Sequence, residues 1–185
     1  TATTEIYTLS LHDVFRSSSL TCGLIKAGFI KGDRAALISE GRKDWVVSEL
    51  AILSAGGINV PISVKIDTLA DLKFRLAHSG CKFVFASSAQ LNKIREVKND
   101  LPDLEKIVIL DSTEKLSDDE ICLEELFKTG AEYLKTNYNE YEQRLASIME
   151  NDYANICYTS GTTADPKGII LTHRNYTANV EQSSS

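Results

Sequence analysis

Residues Tyr158 to Gly168 read Tyr-Thr-Ser-Gly-Thr-Thr-Ala-Asp-Pro-Lys-Gly and are the most informative stretch of this chain. Apolar runs at 156–158 and 169–171 flank the segment, so the pattern predicts a loop between two strands. The loop contains four hydroxyl side chains, two glycines and a lysine beside a proline. Hydroxyls and backbone N–H groups donate to oxyanions, glycine lets the backbone approach a ligand, and lysine adds a compact positive charge. The segment is therefore predicted to bind a polyphosphate.

The spacing differs from the phosphate loop of the P-loop NTPases, which reads Gly-x-x-x-x-Gly-Lys-Ser/Thr at the start of a helix. Counting from Gly161, Pro166 stands where the second glycine belongs and Gly168 where the Ser/Thr belongs. The residues after Lys167 are apolar and β-branched, which favours a strand. A different ATP-binding loop is implied. An ordinary hairpin turn is the alternative, but a turn requires only about two of these residue types.

Strand and helix patterns alternate before this loop. Strands are expected at 34–39, 58–62, 82–86 and 107–110, and helices at 42–55, 69–78 and 90–99. Helices between successive strands imply crossover connections, so we predict an α/β fold in which a mostly parallel sheet carries helices on both faces. We expect a first α/β subdomain over 1–150, followed over 151–185 by a strand, the phosphate-binding loop and the start of a next subdomain.

Three segments of the pattern are less regular. Residues 111–120 are acidic and rich in turn formers, so an exposed loop is expected there. A long helical region should follow over 121–149, with an interruption near Gly130. Serines at 17–19 interrupt an otherwise amphipathic N-terminal helix, which fits either a flexible joint or a missing segment.

Composition and charge limit the class of protein and its partners. Hydrophobic residues make up 43% and charged residues 25% of the chain, which is typical of a soluble globular protein. A formal net charge of -6 argues against a nucleic acid partner, because no basic face is available to neutralise phosphates. No apolar run approaches the ~18 residues of a membrane span, and no signal peptide pattern is present at the start. A cytoplasmic protein is expected.

The cysteines and histidines do not form a recognisable metal or disulfide pattern. Reduced, mostly buried thiols are expected for the four widely spaced cysteines, Cys22, Cys81, Cys122 and Cys157. His78 and Cys81 are three residues apart, but two ligands without a second pair are more simply a coincidence at a helix end, and no metal site is predicted. His12 and His173 are interpreted as surface or capping residues.

In its order of residues, Tyr158–Gly168 resembles the signature loop of the adenylate-forming superfamily, which includes acyl-CoA ligases, luciferases and peptide-synthetase adenylation domains. Other segments, at 31–34, 45–61 and 171–176, resemble the same family in the same order, so the resemblance covers about Leu11 to Val180. Residues 42–45 and 172–176 are most similar to long-chain fatty acyl-CoA synthetases. One departure is Ala164, where the family most often has glycine.

The resemblance implies a two-step reaction with ATP, Mg²⁺ and coenzyme A. A fatty or other carboxylate attacks the α-phosphate of MgATP to give acyl-AMP and pyrophosphate, and the thiol of coenzyme A then displaces AMP. Lys167 is the implied catalytic cation, beside hydroxyls and backbone N–H groups that would hold the β- and γ-phosphates. The implied nucleotide-binding residues are Thr159, Ser160, Gly161, Thr162, Thr163, Lys167 and Gly168.

The family motifs that hold magnesium, ribose and the acyl adenylate are absent from these 185 residues. The chain is therefore expected to be the N-terminal part of the large domain of such an enzyme, and to be inactive alone. Two alternatives remain open, an enzyme that adenylates an aryl or amino acid and a non-catalytic nucleotide-binding module of the same fold. Thr172 is expected to cap the next helix, whose N-terminus would lie near bound anions or simply pack on the sheet.

Overall fold

A computed structural model of the chain describes residues 11–66, 68–111, 116–159 and 166–183. The described residues form seven strands, which are β1 Arg34–Ile38, β2 Ile58–Pro61, β3 Cys81–Ala86, β4 Lys106–Ile109, β5 Glu120–Cys122, β6 Tyr153–Thr159 and β7 Lys167–Thr172. The α-helices are α1 Leu11–Lys26, α2 Lys43–Ser54, α3 Leu69–Ser79, α4 Ser88–Val97, α5 Leu123–Thr136, α6 Tyr138–Ala146 and α7 His173–Ser183. A short 3-10 helix, Lys98–Asp100, follows α4.

The strands form one sheet in the order β5-β4-β3-β1-β2-β6-β7. Neighbouring strands from β5 through to β6 are parallel, and β7 alone is antiparallel, paired with β6. The connections from β1 to β2, from β2 to β3 and from β3 to β4 each contain a helix, as crossover geometry requires. The predicted α/β fold with a mostly parallel sheet is confirmed.

Two apolar clusters show why the sheet needs helices on both faces. Successive side chains of a strand point to opposite faces, and in β3 Val84 joins one cluster while Phe83 and Phe85 join the other. The first cluster includes Leu72 and Leu76 of α3 with Leu91 and Ile94 of α4. The second cluster packs the opposite face against α1, α2 and α5, through residues that include Leu20, Leu24, Val47, Ile52, Leu123 and Leu126. Strands covered on both sides read as continuous apolar runs, which is the pattern that the sequence displayed.

Helix α1 runs without a break through Ser17, Ser18 and Ser19, so the expected flexible joint is wrong. Ser17 is buried, and the hydroxyl of Ser18 lies 2.9 Å from that of Tyr141 in α6. The serines therefore serve as small, polar residues where α1 packs closely against other helices.

The long helical region breaks at Asn137, between α5 and α6, and not near Gly130 as predicted. Gly130 is buried in the middle of α5. A Cβ atom there would come within 1.9 Å of the Ser19 carbonyl oxygen, so the absence of a side chain is what lets α5 approach α1. Gly130 is thus required for the contact between the two helices and does not end a helix.

The acidic segment before α5 ends in a strand that the sequence pattern did not predict. β5 has three residues and pairs with β4 at the edge of the sheet. Its first residue, Glu120, has a fully buried side chain and receives two hydrogen bonds of 2.7 Å from the guanidinium of Arg95 in α4. Residues 112–115 lie outside the described ranges. Across those ranges, no helix is both long and apolar enough to cross a membrane.

Candidate phosphate-binding site

The β6–β7 hairpin places the predicted phosphate-binding segment at one edge of the sheet. β6 joins the sheet through Asn155, which pairs in parallel with Asn59 of β2. Because β6 runs in the same direction as the other parallel strands, the chain leaves it at the carboxyl edge of the sheet. Ligands of open α/β sheets bind outside this edge. The hairpin is therefore in a position from which it can reach a ligand.

The last strand pair before the turn is Thr159 with Lys167. Both residues are exposed, and directly opposed residues of an antiparallel pair have Cβ atoms about 5 Å apart. Lys167 forms no ion pair with any residue in the described parts of the chain. The structure thus brings together one predicted hydroxyl and the predicted cation.

Gly168, the third predicted residue that the structure describes, pairs with Tyr158 across the hairpin. A Cβ atom at Gly168 would lie 3.1 Å from Cγ2 of Ile156 and 3.5 Å from Cε1 of Tyr158. The absence of a side chain thus leaves room mainly for Ile156, while the Tyr158 ring is at ordinary contact distance. The sequence pattern did not suggest this role of the glycine. Its role as a backbone donor to phosphate remains a prediction. The other predicted residues, Ser160, Gly161, Thr162 and Thr163, lie outside the described ranges together with Ala164.

Tyr158 connects the base of this hairpin to α3. Its hydroxyl lies 2.8 Å from Nδ1 of His78 and 3.3 Å from the carbonyl oxygen of Arg75. The guanidinium of Arg75 lies 5.6 Å from the centre of the Tyr158 ring. Burial raises the pKa of Tyr158, so its hydroxyl remains protonated and able to donate. Sequence reasoning missed this cluster, because His78 and Tyr158 are 80 residues apart and no local motif relates them.

His78 and Cys81 do not act as a metal-binding pair. The imidazole of His78 is directed to Tyr158 and stacks on Phe74 at 5.3 Å, whereas Sγ of Cys81 lies 3.1 Å from the Ser79 hydroxyl. Burial raises the pKa of the Cys81 thiol to about 12. All four cysteines are free thiols. Within the described ranges, no three His, Cys, Asp or Glu side chains are grouped so that they could hold a metal ion.

Helix α7 starts at the far end of β7, away from the turn. β7 has six residues, so about 17 Å separates its two ends. The N-terminus of this helix therefore lies about 17 Å from the turn that is predicted to bind phosphate. Asn175 closes the first turn of the helix, since its Oδ1 accepts from the backbone N–H of Thr172 at 2.9 Å and from its hydroxyl at 3.0 Å. This is the reciprocal half of a capping box, and Thr172 donates where it was expected to accept.

His173 is half-buried at the start of α7, and burial lowers its pKa. Its backbone N–H donates to the carbonyl oxygen of Asp152, 3.1 Å away. The side chain of His12 is not described. His173 thus lies where α7 packs against the start of β6, at the end of the hairpin that is opposite to the turn.

A second polar cluster holds the hairpin to the rest of the sheet. Nδ2 of Asn59 donates to Oε1 of Glu49 at 2.9 Å, and Nδ2 of Asn155 donates to the Tyr176 hydroxyl at 2.9 Å. Burial raises the pKa of Glu49, an effect partly offset by the hydrogen bond from Asn59. Because Asn59 and Asn155 are strand partners, the cluster links α2, β2, β6 and α7.

Comparison with known proteins shows the family to which this chain belongs. Residues 7–184 match the family described as AMP-binding enzyme. The chain belongs to this family. Proteins that the chain resembles include several named as acyl-CoA synthetases or ligases.

Three similar proteins differ in the acid that their names mention. Long chain acyl-CoA synthetase 6, peroxisomal, of Arabidopsis thaliana is 28% identical over 90% of this chain and 24% of its own length. 4-Hydroxybutyrate–CoA ligase 2 of Metallosphaera sedula is 29% identical over 82% of this chain and 27% of its own. The crystal structure of the anthranilate CoA ligase AuaEII with anthranoyl-AMP has a TM-score of 0.75 at 20% identity, covering 91% of this chain and 30% of that one. The chain spans about a quarter of the length of these curated relatives.

Proposed function

We propose that this chain is the N-terminal part of an ATP-dependent acid–CoA ligase and that its hairpin grips the β- and γ-phosphates of ATP. The observation that carries the proposal is the pairing of Thr159 with Lys167 at the base of the turn, at the carboxyl edge of the sheet. The hydroxyls and glycines of residues 160–163 would complete the phosphate contacts.

The chemistry of the first step fits such a site. A carboxylic acid is already ionised at neutral pH and needs no general base to attack the α-phosphate. What the step requires is stabilisation of the charge that develops on the leaving pyrophosphate. Lys167 would supply a full positive charge for this purpose, and the hydroxyls and N–H groups of the turn would supply oriented dipoles.

We propose that residues of the complete protein beyond the described ranges hold magnesium and coenzyme A. When bound, Mg²⁺ would neutralise charge on the phosphates of ATP, and coenzyme A would accept the acyl group in the second step. The 185 residues alone are then inactive, and the complete protein acts in the cytoplasm.

We propose a long-chain fatty acid as the substrate. The similarity to the Arabidopsis long-chain synthetase, over 90% of this chain, supports this choice. An aryl acid is the second candidate, supported by the likeness in fold to the anthranilate CoA ligase. The AMP-binding family match disfavours the third reading, a nucleotide-binding module without chemistry.

The test is pyrophosphate exchange into ATP by the complete protein, measured with palmitate, benzoate, anthranilate and 4-hydroxybutyrate in turn. Exchange that depends on palmitate, followed by formation of palmitoyl-CoA when coenzyme A is added, would support both the reaction and the substrate. Exchange with an aryl acid alone would support the proposed reaction but show that the substrate is an aryl acid and not a fatty acid. ATP binding without exchange for any of these acids would reject the ligase reaction and support the non-catalytic nucleotide-binding module.

A further inference from the structure

We propose that His78 and Arg75 of α3 are positioning residues for the hairpin base, defined as Tyr158, Thr159, Lys167 and Gly168, and that they act through the Tyr158 side chain. The inference rests on the proposed function, since it assigns what holds Lys167 in place for the nucleotide. None of the three residues would touch the phosphates.

The Tyr158 hydroxyl is held from two directions. It lies 2.8 Å from Nδ1 of His78 and donates to the carbonyl oxygen of Arg75 at 3.3 Å. Both bonds are satisfied together when Nδ1 of His78 carries a proton and donates to the phenolic oxygen. A hydroxyl that both donates and accepts in this way fixes the direction of its side chain.

The Tyr158 ring then holds both strands of the hairpin. Tyr158 belongs to β6 and is the strand partner of Gly168 in β7. The ring lies against residue 168, with its Cε1 at contact distance, 3.5 Å, from where a Cβ atom of that residue would stand. Lys167 is the next residue along β7 and pairs with Thr159. Any displacement of the ring therefore moves the backbone that carries the ammonium group.

The support on α3 is itself well fixed. Both oxygens of Asp71 accept hydrogen bonds of 3.0 Å from the Arg75 guanidinium. The helix is capped at its start by the hydroxyl of Thr68 and at its end by Gly80 in the left-handed conformation, with φ 61°. Its apolar side, which includes Leu72 and Leu76, is buried. A rigid element in contact with a site holds geometry better than a loop does.

The experiment compares Tyr158→Phe and His78→Phe in the complete ligase. Tyr158→Phe keeps the ring over Gly168 and removes only the hydroxyl, and His78→Phe keeps an aromatic ring against Phe74. His78→Phe is expected to lower kcat/KM for ATP in pyrophosphate exchange by about three- to tenfold, the size of one lost net hydrogen bond, and Tyr158→Phe by at least as much because it removes both hydrogen bonds. The KM for the carboxylic acid should not change. Because the two groups act through one bond, the double variant should lose no more than Tyr158→Phe alone.

Tyr133→Phe is the matched control, since it removes a hydroxyl that bonds Glu140 at 2.6 Å on α6 and leaves the hairpin untouched. Its kinetics should equal those of the unmodified protein. A readout independent of activity is amide hydrogen exchange over 156–159 and 167–171 without nucleotide, which should accelerate in Tyr158→Phe and His78→Phe but not in Tyr133→Phe.

Unchanged ATP kinetics and unchanged amide exchange in both variants would overturn the positioning role. So would losses that add in the double variant, or a rise in the KM for the acid equal to the effect on ATP, which would indicate a general structural defect. If amide exchange accelerates while the complete protein shows no acid-dependent pyrophosphate exchange, the anchoring of the hairpin is supported and the proposed function is wrong.

Discussion

Gly130 of α5 packs directly against Gly23 of α1, so closely that a Cβ atom at Gly130 would lie 2.4 Å from the backbone nitrogen of Gly23. The reverse contact is equally tight, since a Cβ at Gly23 would lie 2.4 Å from the carbonyl oxygen of Leu126. Backbone atoms meet backbone atoms here, and neither helix can yield by moving a side chain. Because Gly23 and Gly130 have no side chains, α1 and α5 can pack backbone against backbone at this point.

Gly130→Ala is expected to destabilise the fold by about 2 kcal/mol or more, because the added methyl group forces α5 away from α1. Alanine favours a helix over glycine by about 1 kcal/mol, which reduces the loss but does not cancel it. Gly41→Ala is the control, since nothing lies within 4 Å of the added Cβ and the φ of Gly41 is not positive. Denaturant unfolding of the two variants measures the difference, and equal midpoints would contradict this account of the contact.

Arg95→Gln should be among the most destabilising changes at the surface of α4. It removes both hydrogen bonds to Glu120, whose side chain is fully buried, and leaves a carboxylate without its charged partner. Breaking a buried pair costs about 3–5 kcal/mol, and the lower end applies because Arg95 is partly exposed.

The effect of Arg95→Gln should depend on pH. The Arg95 guanidinium lowers the pKa of Glu120 in the folded chain. A carboxyl whose folded pKa is lowered contributes stability above its unfolded pKa of about 4.3 and loses it as the pH falls through the folded pKa. The difference between wild type and variant should therefore shrink between pH 7 and pH 3. Lys73→Gln serves as the control, because its pair with Asp100 is exposed and worth little at any pH.

The sequence predicted the sheet well because strand periodicity and crossover spacing are local signals. The runs at 35–38 and 83–86 are continuously apolar and are preceded by turn residues, and both lie in central strands. β5 escaped prediction because its three residues have no apolar period and are held by pairing with β4 and by Arg95. Gly130 was misread because a glycine that admits a neighbouring backbone looks, in one dimension, like a glycine that ends a helix.

The candidate site was predicted only in part for a similar reason. Thr159 and Lys167 could be found from the loop composition, since they are eight residues apart in one motif. In the sequence Tyr158 is only the first residue of that motif, and the local signal at His78 is its spacing from Cys81. A contact between α3 and β6 is set by the strand order of the sheet, which no short window of sequence contains.

Glu49→Gln should stabilise the fold at pH 8 and have little effect at pH 4. Burial raises the pKa of Glu49 in the folded chain, so wild-type stability falls as the pH rises from the unfolded pKa through the folded one. Glutamine keeps an acceptor for Nδ2 of Asn59 without a charge to desolvate. Because Glu49 is partly solvated, a rise of roughly 2 °C in Tm is expected.

Glu124→Gln is a suitable control for this change, since Glu124 is exposed at the start of α5. It should leave the pH dependence of Tm as in the wild type. A Glu49→Gln variant whose Tm falls at pH 8 would mean that the ionised carboxylate is required where it stands, with Asn59 as its donor.

Lys167→Ala in the complete ligase should lower acid-dependent pyrophosphate exchange by roughly 10²-fold or more, the size of losing one preorganised electrostatic donor in an active site. Lys167 forms no ion pair with the residues that the structure describes, so its removal leaves none of their carboxylates unpaired, and we expect Tm to stay unchanged. Lys135→Ala, an equally exposed lysine on α5, is the matched control and should retain full exchange. Lys167→Arg should recover only part of the activity, because the planar guanidinium cannot reproduce a compact ammonium at the same point. Exchange at the wild-type rate in Lys167→Ala would remove the cation from the reaction and leave the turn as a structural hairpin.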